Sequence, residues 1–374
     1  MICWQSCVTW LSIAVAVIVC LRAAMKMFVH KSCKTFRDLE GSNVIVTGGS
    51  VGIGRSTVVE LVFKGAKVVF TGRDFNAVKN DTIPAIIAAL TAERMVDKPT
   101  STKEDLAAWE QEIRSGTWDQ QGNFSSPRLW FRRVDFSDLR EVEEFALWFK
   151  STNMKLNVLI NNTGGVFLSH KLTAQKLEWT MGINHFAHYY LTELLFSTLT
   201  NESRIINLSS SASKMNSTDI SEDTDWEEFL NLPKDKYSVN TSYARSKLAN
   251  VLFSLGLQHI FDSRGLKMKS VSVHPGVVAS NFFNRTHYVV KILETIFTPI
   301  KYALLKNNFE GSQTTLHCVN TDFNSLAGGK YHVDCKETPM NKYVTDSLVE
   351  KFMRHSQTMI EKAFDKPILS LSSK

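Results

Sequence analysis

The chain has 374 residues, enough for one α/β domain of roughly 250–300 residues with appendages. Its net charge of +6 comes without a dense Lys/Arg run in the body, which excludes nucleic acid as a first-choice partner. Cys3, Cys7, Cys20 and Cys33 lie at the N-terminal end and only Cys318 and Cys335 in the body; this is neither a disulfide framework nor a zinc pattern, so reduced thiols are expected.

From Ile2 to Leu21 the chain is almost wholly apolar, and about 20 such residues suffice to cross a bilayer as a helix. A cleaved signal peptide is the rival reading, but no Lys or Arg precedes Arg22. Residues 1–24 are therefore expected to be a membrane anchor. Residues 25–42 read as a basic and polar linker whose Lys26, Lys31, Lys34 and Arg37 suit anionic headgroups and hold the body on the cytosolic side of an intracellular membrane such as the endoplasmic reticulum. Sequons at Asn161, Asn207 and Asn240 fall in or beside the motifs described below, where a lumenal domain would risk glycans.

Beyond the linker, β-branched runs alternate with amphipathic stretches. Strands are expected at Asn43–Thr47, Lys67–Thr71, Leu129–Val134, Asn157–Asn161, Arg204–Leu208, Lys269–His274 and Lys330–Val333. Helices are expected at Ile53–Phe63, Leu139–Lys150, Ala174–Leu199, Ser242–Phe261 and Val289–Leu305, with a terminal helix at Val344–Phe364 outside the sheet. The alternation predicts an α/β fold, a doubly wound parallel sheet of the Rossmann type, in one domain spanning 43–340 and followed by a C-terminal helix and tail at 341–374. An insertion at about 91–127, polar with scattered aromatics, reads as a surface excursion, with a partner or membrane contact as the alternative.

Directly after the first strand comes T-G-G-S-V-G-I-G, Thr47 to Gly54, leading into a helix. In this strand–turn–helix setting Gly48 permits a tight turn, Gly52 lets a pyrophosphate approach the backbone, and Gly54 allows close packing. Ser50 and Ile53 belong to the same turn. At the end of the second strand Gly72 stands where an acid often binds the ribose, and Arg73 follows. A guanidinium there suits a 2′-phosphate and favours NADP over NAD, unless Asp74 accepts the ribose instead. Asp135, after the third strand, is placed to cap a helix or to bind adenine.

Tyr243 and Lys247, in S-Y-A-R-S-K, stand at i and i+4 on one helical face. A free tyrosine is too weak an acid to serve as a base at neutral pH, and an adjacent ammonium would bring its pKa down. At the end of the fifth strand Ser210 is the preferred hydroxyl to polarise a substrate oxygen, with Ser209 and Ser211 as substitutes.

In motif order, from about Asn43 to Asp334, the chain resembles the short-chain dehydrogenases/reductases. Asn161-Asn162-Thr163-Gly164 is similar to their N-N-A-G motif, with Thr163 in place of the alanine, and His274-Pro275-Gly276 to their P-G turn, followed by Val278 and Ser280. Ser210, Tyr243, Lys247 and Asn184 match the catalytic tetrad. The resemblance implies that Tyr243 exchanges a proton with the substrate oxygen and Ser210 polarises it. It also implies that Lys247 lowers the Tyr243 pKa and binds ribose, and that Asn184 anchors a relay water. The cofactor contacts implied are Thr47, Gly48, Ser50, Gly52, Ile53, Gly54, Arg73, Asp135, Asn161, Asn162, Gly164, Tyr243, Lys247, Pro275, Gly276 and Val278, with no metal. Within the family, Ile183–Thr192, Ser246–Asn250 and Val273–Val278 look most like retinol dehydrogenases, which are NADP-linked and membrane-anchored.

The segment after the P-G turn, with Phe282, Phe283, Val289, Ile292, Ile296 and Phe297, would suit a lipophilic alcohol or carbonyl as a closing apolar face. Such a face fits retinoid, steroid or fatty aldehyde substrates, and the choice among them rests on the family resemblance alone. A homodimer is an open option. The alternative to an enzyme is a non-catalytic NADP(H)-binding scaffold or sensor at a membrane.

Overall fold

The computed structural model describes residues 37–91, 102–278 and 305–364, together with Val17 and Cys20. The expected anchor, Ser280, the apolar lid residues and the helix at Val289–Leu305 lie outside these, save Val17, Cys20 and Leu305. Among the described residues no helix is long and apolar enough to cross a membrane.

Strand β1 (Asn43–Val46) leads through helix α1 (Gly52–Phe63) into β2 (Lys67–Gly72). After a one-turn helix and a π-turn come α2 (Ile83–Thr91), α3 (Lys103–Arg114), the short β3 (Thr117–Trp118) and β4 (Phe124–Ser125), and then β5 (Leu129–Arg133). Next are α4 (Leu139–Ser151), β6 (Leu156–Asn161), α5 (Ala187–Leu195), β7 (Leu199–Leu208), α6 (Trp226–Leu230), α7 (Val239–Ser263) and β8 (Lys269–His274). The described chain finishes with α8 (Asn308–Asn320), β9 (Tyr331–Val333), β10 (Lys336–Thr338) and α9 (Asp346–Phe364).

All strands join one 10-stranded sheet in the order β10-β9-β8-β7-β6-β1-β2-β5-β4-β3. From β9 through β5 in that order every pairing is parallel, while β10, β4 and β3 pair antiparallel at the two edges. Side-chain alternation along β1 shows how both faces are used. Val44 and Val46 enter the core under α1, α2, α3 and α8, and Ile45 enters the core under α4, α5, α7 and α9. The chain moves outward from β1 to β5, then restarts at β6 on the other side of β1. That reversal opens a crevice at the carboxyl ends of β1 and β6, the place where such sheets bind ligands.

Local chemistry explains the boundaries. Helix α1 ends at Lys64 because Gly65, at φ +91, takes the left-handed position. The Gly65 and Ala66 amides then donate to the Val62 and Leu61 carbonyls, closing a Schellman motif. Between β9 and β10, Asp334 (φ 49) and Cys335 (φ 59) make the two-residue turn whose twist suits a hairpin. Cys318 is free and buried, as expected of a reduced thiol in the body.

Within the expected insertion, the described residues 102–127 pack on the body rather than forming a surface excursion. Leu106, Trp109, Ile113 and Phe124 are buried in the core beside β2 and β5, and the β3–β4 hairpin prolongs the sheet. The polar composition concealed this because only one face of α3 is apolar. Arg128 staples the unit to the main body. Its guanidinium, 3% exposed, donates to Glu112 at 2.5 Å and to the Gly65 carbonyl at 2.6 Å, and lies 4.7 Å from the Trp109 ring centroid. Arg128→Ala should cost about 2–3 kcal/mol through lost charged hydrogen bonds and ring packing. A urea midpoint equal to wild type would refute that role.

Candidate active site

The expected helix Ala174–Leu199 is broken in a way that shapes the site. The buried Glu178 caps a short turn at Trp179–Met181, accepting from the Thr180 amide at 2.9 Å and the Met181 amide at 3.0 Å. A π-turn follows at Gly182–Phe186 before α5 begins. Such bulges recur at functional sites because they displace one residue from the helical ladder, and here the turn carries Asn184. Its carboxamide accepts from the Gly165 amide at 2.9 Å and donates to the Gly165 carbonyl at 3.0 Å and to Ser246 Oγ at 2.9 Å. Ser246 Oγ donates in turn to the Tyr243 carbonyl at 2.8 Å, so Asn184 is tied to the first turns of α7.

On α7 the side chains of Tyr243 and Lys247 share one face, with Lys247 Nζ 5.7 Å from the phenol ring centroid. Lys247 is buried, and its ammonium donates to the Leu208 carbonyl at the end of β7, 3.1 Å away. Burial lowers its pKa to about 8. For Tyr243 the expected depression does not appear. Burial raises its pKa, and the opposing influence is a hydrogen bond with Ser210 rather than the ammonium. Ser209 is no substitute for Ser210, because its hydroxyl is committed to the Lys247 carbonyl at 2.7 Å. Ser211 is exposed at the start of a 3-10 turn.

Across the crevice lies the glycine turn. A Cβ on Gly54 would sit 2.2 Å from the Gly48 carbonyl oxygen, so this position requires glycine for close packing. Among the described residues a Cβ on Gly52 (φ +59) would meet only Asn308 Oδ1, at 4.0 Å. The backbone there is open to a ligand. No side chain caps the N-terminus of α1, and its first turn holds no acid, leaving its amides and positive dipole end suited to phosphate. Ile53 packs toward Gly311 of α8, as does the buried Val278.

The remaining expected contacts divide. Asn162 holds the turn, donating to the Thr47 carbonyl at 2.8 Å and the Gly48 carbonyl at 3.2 Å. A Cβ on Gly164 would lie 2.8 Å from Asn184 Oδ1 and 3.4 Å from Lys247 Nζ, so this glycine borders both side chains. Pro275 and Gly276 (φ +85) follow β8 at the same end of the sheet. Asn161 is the exception. Its buried side chain donates to Asn207 Oδ1 at 2.7 Å and Thr192 Oγ1 at 3.2 Å, inside the sheet rather than toward the crevice. Thr163 Oγ1 is buried without a hydrogen bond and lies 2.9 Å from where a Cβ on Gly48 would be. Its extra bulk packs on the turn.

At the end of β2, a Cβ on Gly72 would be 2.5 Å from Ser50 Oγ, which leaves no room for an acid at that position. Arg73 is exposed. Asp74 is engaged as a helix cap, accepting from the Ala77 amide at 3.0 Å. Asp135 accepts from the Ser137 amide at 2.9 Å, and Asp138 rather than Asp135 caps α4. Two positions that motif reading passed over are Glu178, which also accepts from Ser242 beside Tyr243 at 2.8 Å, and His188, one helical turn after Asn184. The i, i+4 spacing of Asn184 and His188 was the available signal.

Residues 87–222 match the family model for short chain dehydrogenase. Retinol dehydrogenase 12 of Bos taurus is 31% identical over 84% of this chain and 84% of its own length, and retinol dehydrogenase 11 of Homo sapiens is 30% identical over 83% and 82%. A short chain dehydrogenase from Burkholderia cenocepacia J2315, solved in complex with NADP, superposes with a TM-score of 0.52 at 18% identity, covering 79% of this chain and 97% of that one. The chain belongs to the short-chain dehydrogenase/reductase family and is an oxidoreductase. Within that family it is retinol dehydrogenase-like.

Proposed function

We propose that this protein is an NADP(H)-dependent oxidoreductase that interconverts a lipophilic alcohol and its aldehyde or ketone, with Tyr243 as the general acid and base. The observation that carries this reading is the meeting of Tyr243, Ser210, Lys247 and Asn184 beside an open, uncapped glycine turn at the switch point of the sheet. The open approach at Gly52 and the free dipole end of α1 fit a dinucleotide pyrophosphate. Gly48, Ser50, Gly52, Ile53 and Gly54 would hold it. Asp135 would face adenine, Asn162, Gly164 and Lys247 the riboses, and Pro275, Gly276 and Val278 the nicotinamide end. Arg73 would take the 2′-phosphate, because Gly72 excludes an acid and Asp74 is occupied as a cap.

When bound, the cofactor supplies the hydride chemistry. Burial keeps Tyr243 protonated at neutral pH, the form that donates to a carbonyl oxygen as charge builds on it. Ser210 steadies the same oxygen by donating to it. Lys247 places a cation beside the phenol and shields the site from solvent on that side. The retinol dehydrogenase relatives and the apolar segment after Val278 support a long lipophilic substrate, and the run Ile2–Leu21 supports a membrane anchor.

The test is a panel of retinal, ketosteroids and medium-chain aldehydes with NADPH and NADH side by side. NADPH should be preferred by roughly tenfold or more, the worth of charged hydrogen bonds to a phosphate, and Arg73→Ser should narrow that preference. Equal use of both cofactors would refute the Arg73 assignment. Tight NADPH binding with no turnover on any member would favour the scaffold.

A further inference from the structure

His188 is completely buried one helical turn after Asn184, and its two ring nitrogens face opposite parts of the site. Nδ1 lies 3.1 Å from the Asn184 carbonyl oxygen, and Nε2 lies 2.9 Å from Thr47 Oγ1 in the cofactor turn. A carbonyl oxygen only accepts, so Nδ1 carries the proton and Nε2 accepts from the Thr47 hydroxyl. That hydroxyl then has both lone pairs free to accept, and two amides fill them: Asn162 N at 2.8 Å and Thr163 N at 2.9 Å. Every hydrogen-bonding capacity of the imidazole and the hydroxyl is used. The other acceptor within reach of the Thr47 hydroxyl is the Ile160 carbonyl at 3.4 Å, on the neighbouring strand β6. Burial holds the His188 pKa at about 3, so the ring stays neutral and its tautomer is fixed across the working pH range.

We infer that His188 is a positioning residue that locks the dinucleotide turn to the Asn184 segment, so that cofactor affinity and turnover depend on one shared network. It touches neither the substrate nor the reacting atoms. It acts by directing the Thr47 hydroxyl at the ring, which aims both Thr47 lone pairs at the loop from Asn162 to Gly164. Asn162 holds the Thr47 and Gly48 carbonyls, and Gly165 holds the Asn184 carboxamide, so the loop joins both halves of the site. Without the imidazole the hydroxyl turns to Ile160 and the two loop amides lose their aligned acceptor. The inference rests on the proposed cofactor site, but its main readout is NADPH affinity rather than turnover.

The experiment compares full-length wild type with His188→Leu, His188→Gln, Thr47→Val and the His188→Leu/Thr47→Val pair, by NADPH fluorescence titration and by kcat. Leucine removes both polar contacts. It should weaken NADPH roughly tenfold and lower kcat with it, the scale of buried polar groups left unpaired. Glutamine keeps one donor and one acceptor and should restore affinity to within about threefold. The double variant should bind no worse than Thr47→Val alone, because both changes break one network. A folded His188→Leu protein with wild-type affinity and kcat, even one that melts earlier, overturns the inference. So do penalties that multiply in the double variant. If His188→Leu does not fold, Gln against Thr47→Val decides: near-wild-type affinity for Gln with weakened Thr47→Val supports the network, and equal weakening overturns it. Wild type that fails to bind NADPH overturns the cofactor reading itself, and this inference with it.

Discussion

Tyr243→Phe is expected to lower kcat by about two to four orders of magnitude, the contribution of a positioned proton donor, while NADPH affinity stays within about twofold. The change removes one oxygen and leaves the ring that faces Lys247 Nζ at 5.7 Å. The Tyr243 carbonyl, which accepts from Ser246, is also untouched, so the tie from α7 to Asn184 survives. Ser210 loses its phenol partner and can still polarise a substrate oxygen, which accounts for a small residual rate. Steady-state turnover and fluorescence titration on the same preparation separate the two quantities. Retained turnover would remove Tyr243 from the mechanism, and a collapse of NADPH binding would show that the phenol holds the cofactor instead.

The second large effect is acid instability. Burial lowers the pKa of His185 and His188 to about 3 and of His274 to about 4, against 6.5 in an unfolded chain. Below pH 6.5 the unfolded chain takes up three protons that the folded chain refuses, so stability falls as pH falls. The slope persists until pH approaches 4, where the folded histidines begin to titrate. Each contributes at most about 1.4 kcal/mol per pH unit, and half of that where the unfolded ring is half protonated, so the three together remove roughly 5 kcal/mol between pH 6.5 and 5. That is comparable to the whole stability of many domains. Urea midpoints between pH 7.5 and 5 should fall steeply, and His274→Asn should remove about one proton of the three. A midpoint independent of pH over that range would mean that the three rings are protonated inside the fold.

Much of the site was legible because it depends on spacing. Tyr243 and Lys247 share a face at four residues' separation whatever surrounds them, and the glycines of Thr47–Gly54 announce a turn that other residues would strain. Helix α8 shows the opposite case. Its sequence, N-F-E-G-S-Q-T-T-L-H-C-V-N, has no apolar stripe, yet it is almost wholly buried against α1 and the sheet. Small polar residues permit that close approach, and only the Asn307/Glu310 capping box marked its start. The hairpin β3–β4 was hidden for another reason: two-residue strands carry too little alternation to read, and they are held by Trp118 packing on Phe124 and Phe131.

The sequence alone determined the order of the seven parallel strands, the glycine turn after the first of them and the pairing of Tyr243 with Lys247, since each is set by local period, steric need or short-range geometry. The tertiary structure decided which serine faces the phenol, that Asn161 serves the sheet, and that burial rather than the ammonium governs Tyr243. It also brought His188 to Thr47 across 141 positions of chain. Those outcomes depend on which groups are withdrawn from water and on what meets them there, and desolvation by distant segments leaves no local trace in the order of residues.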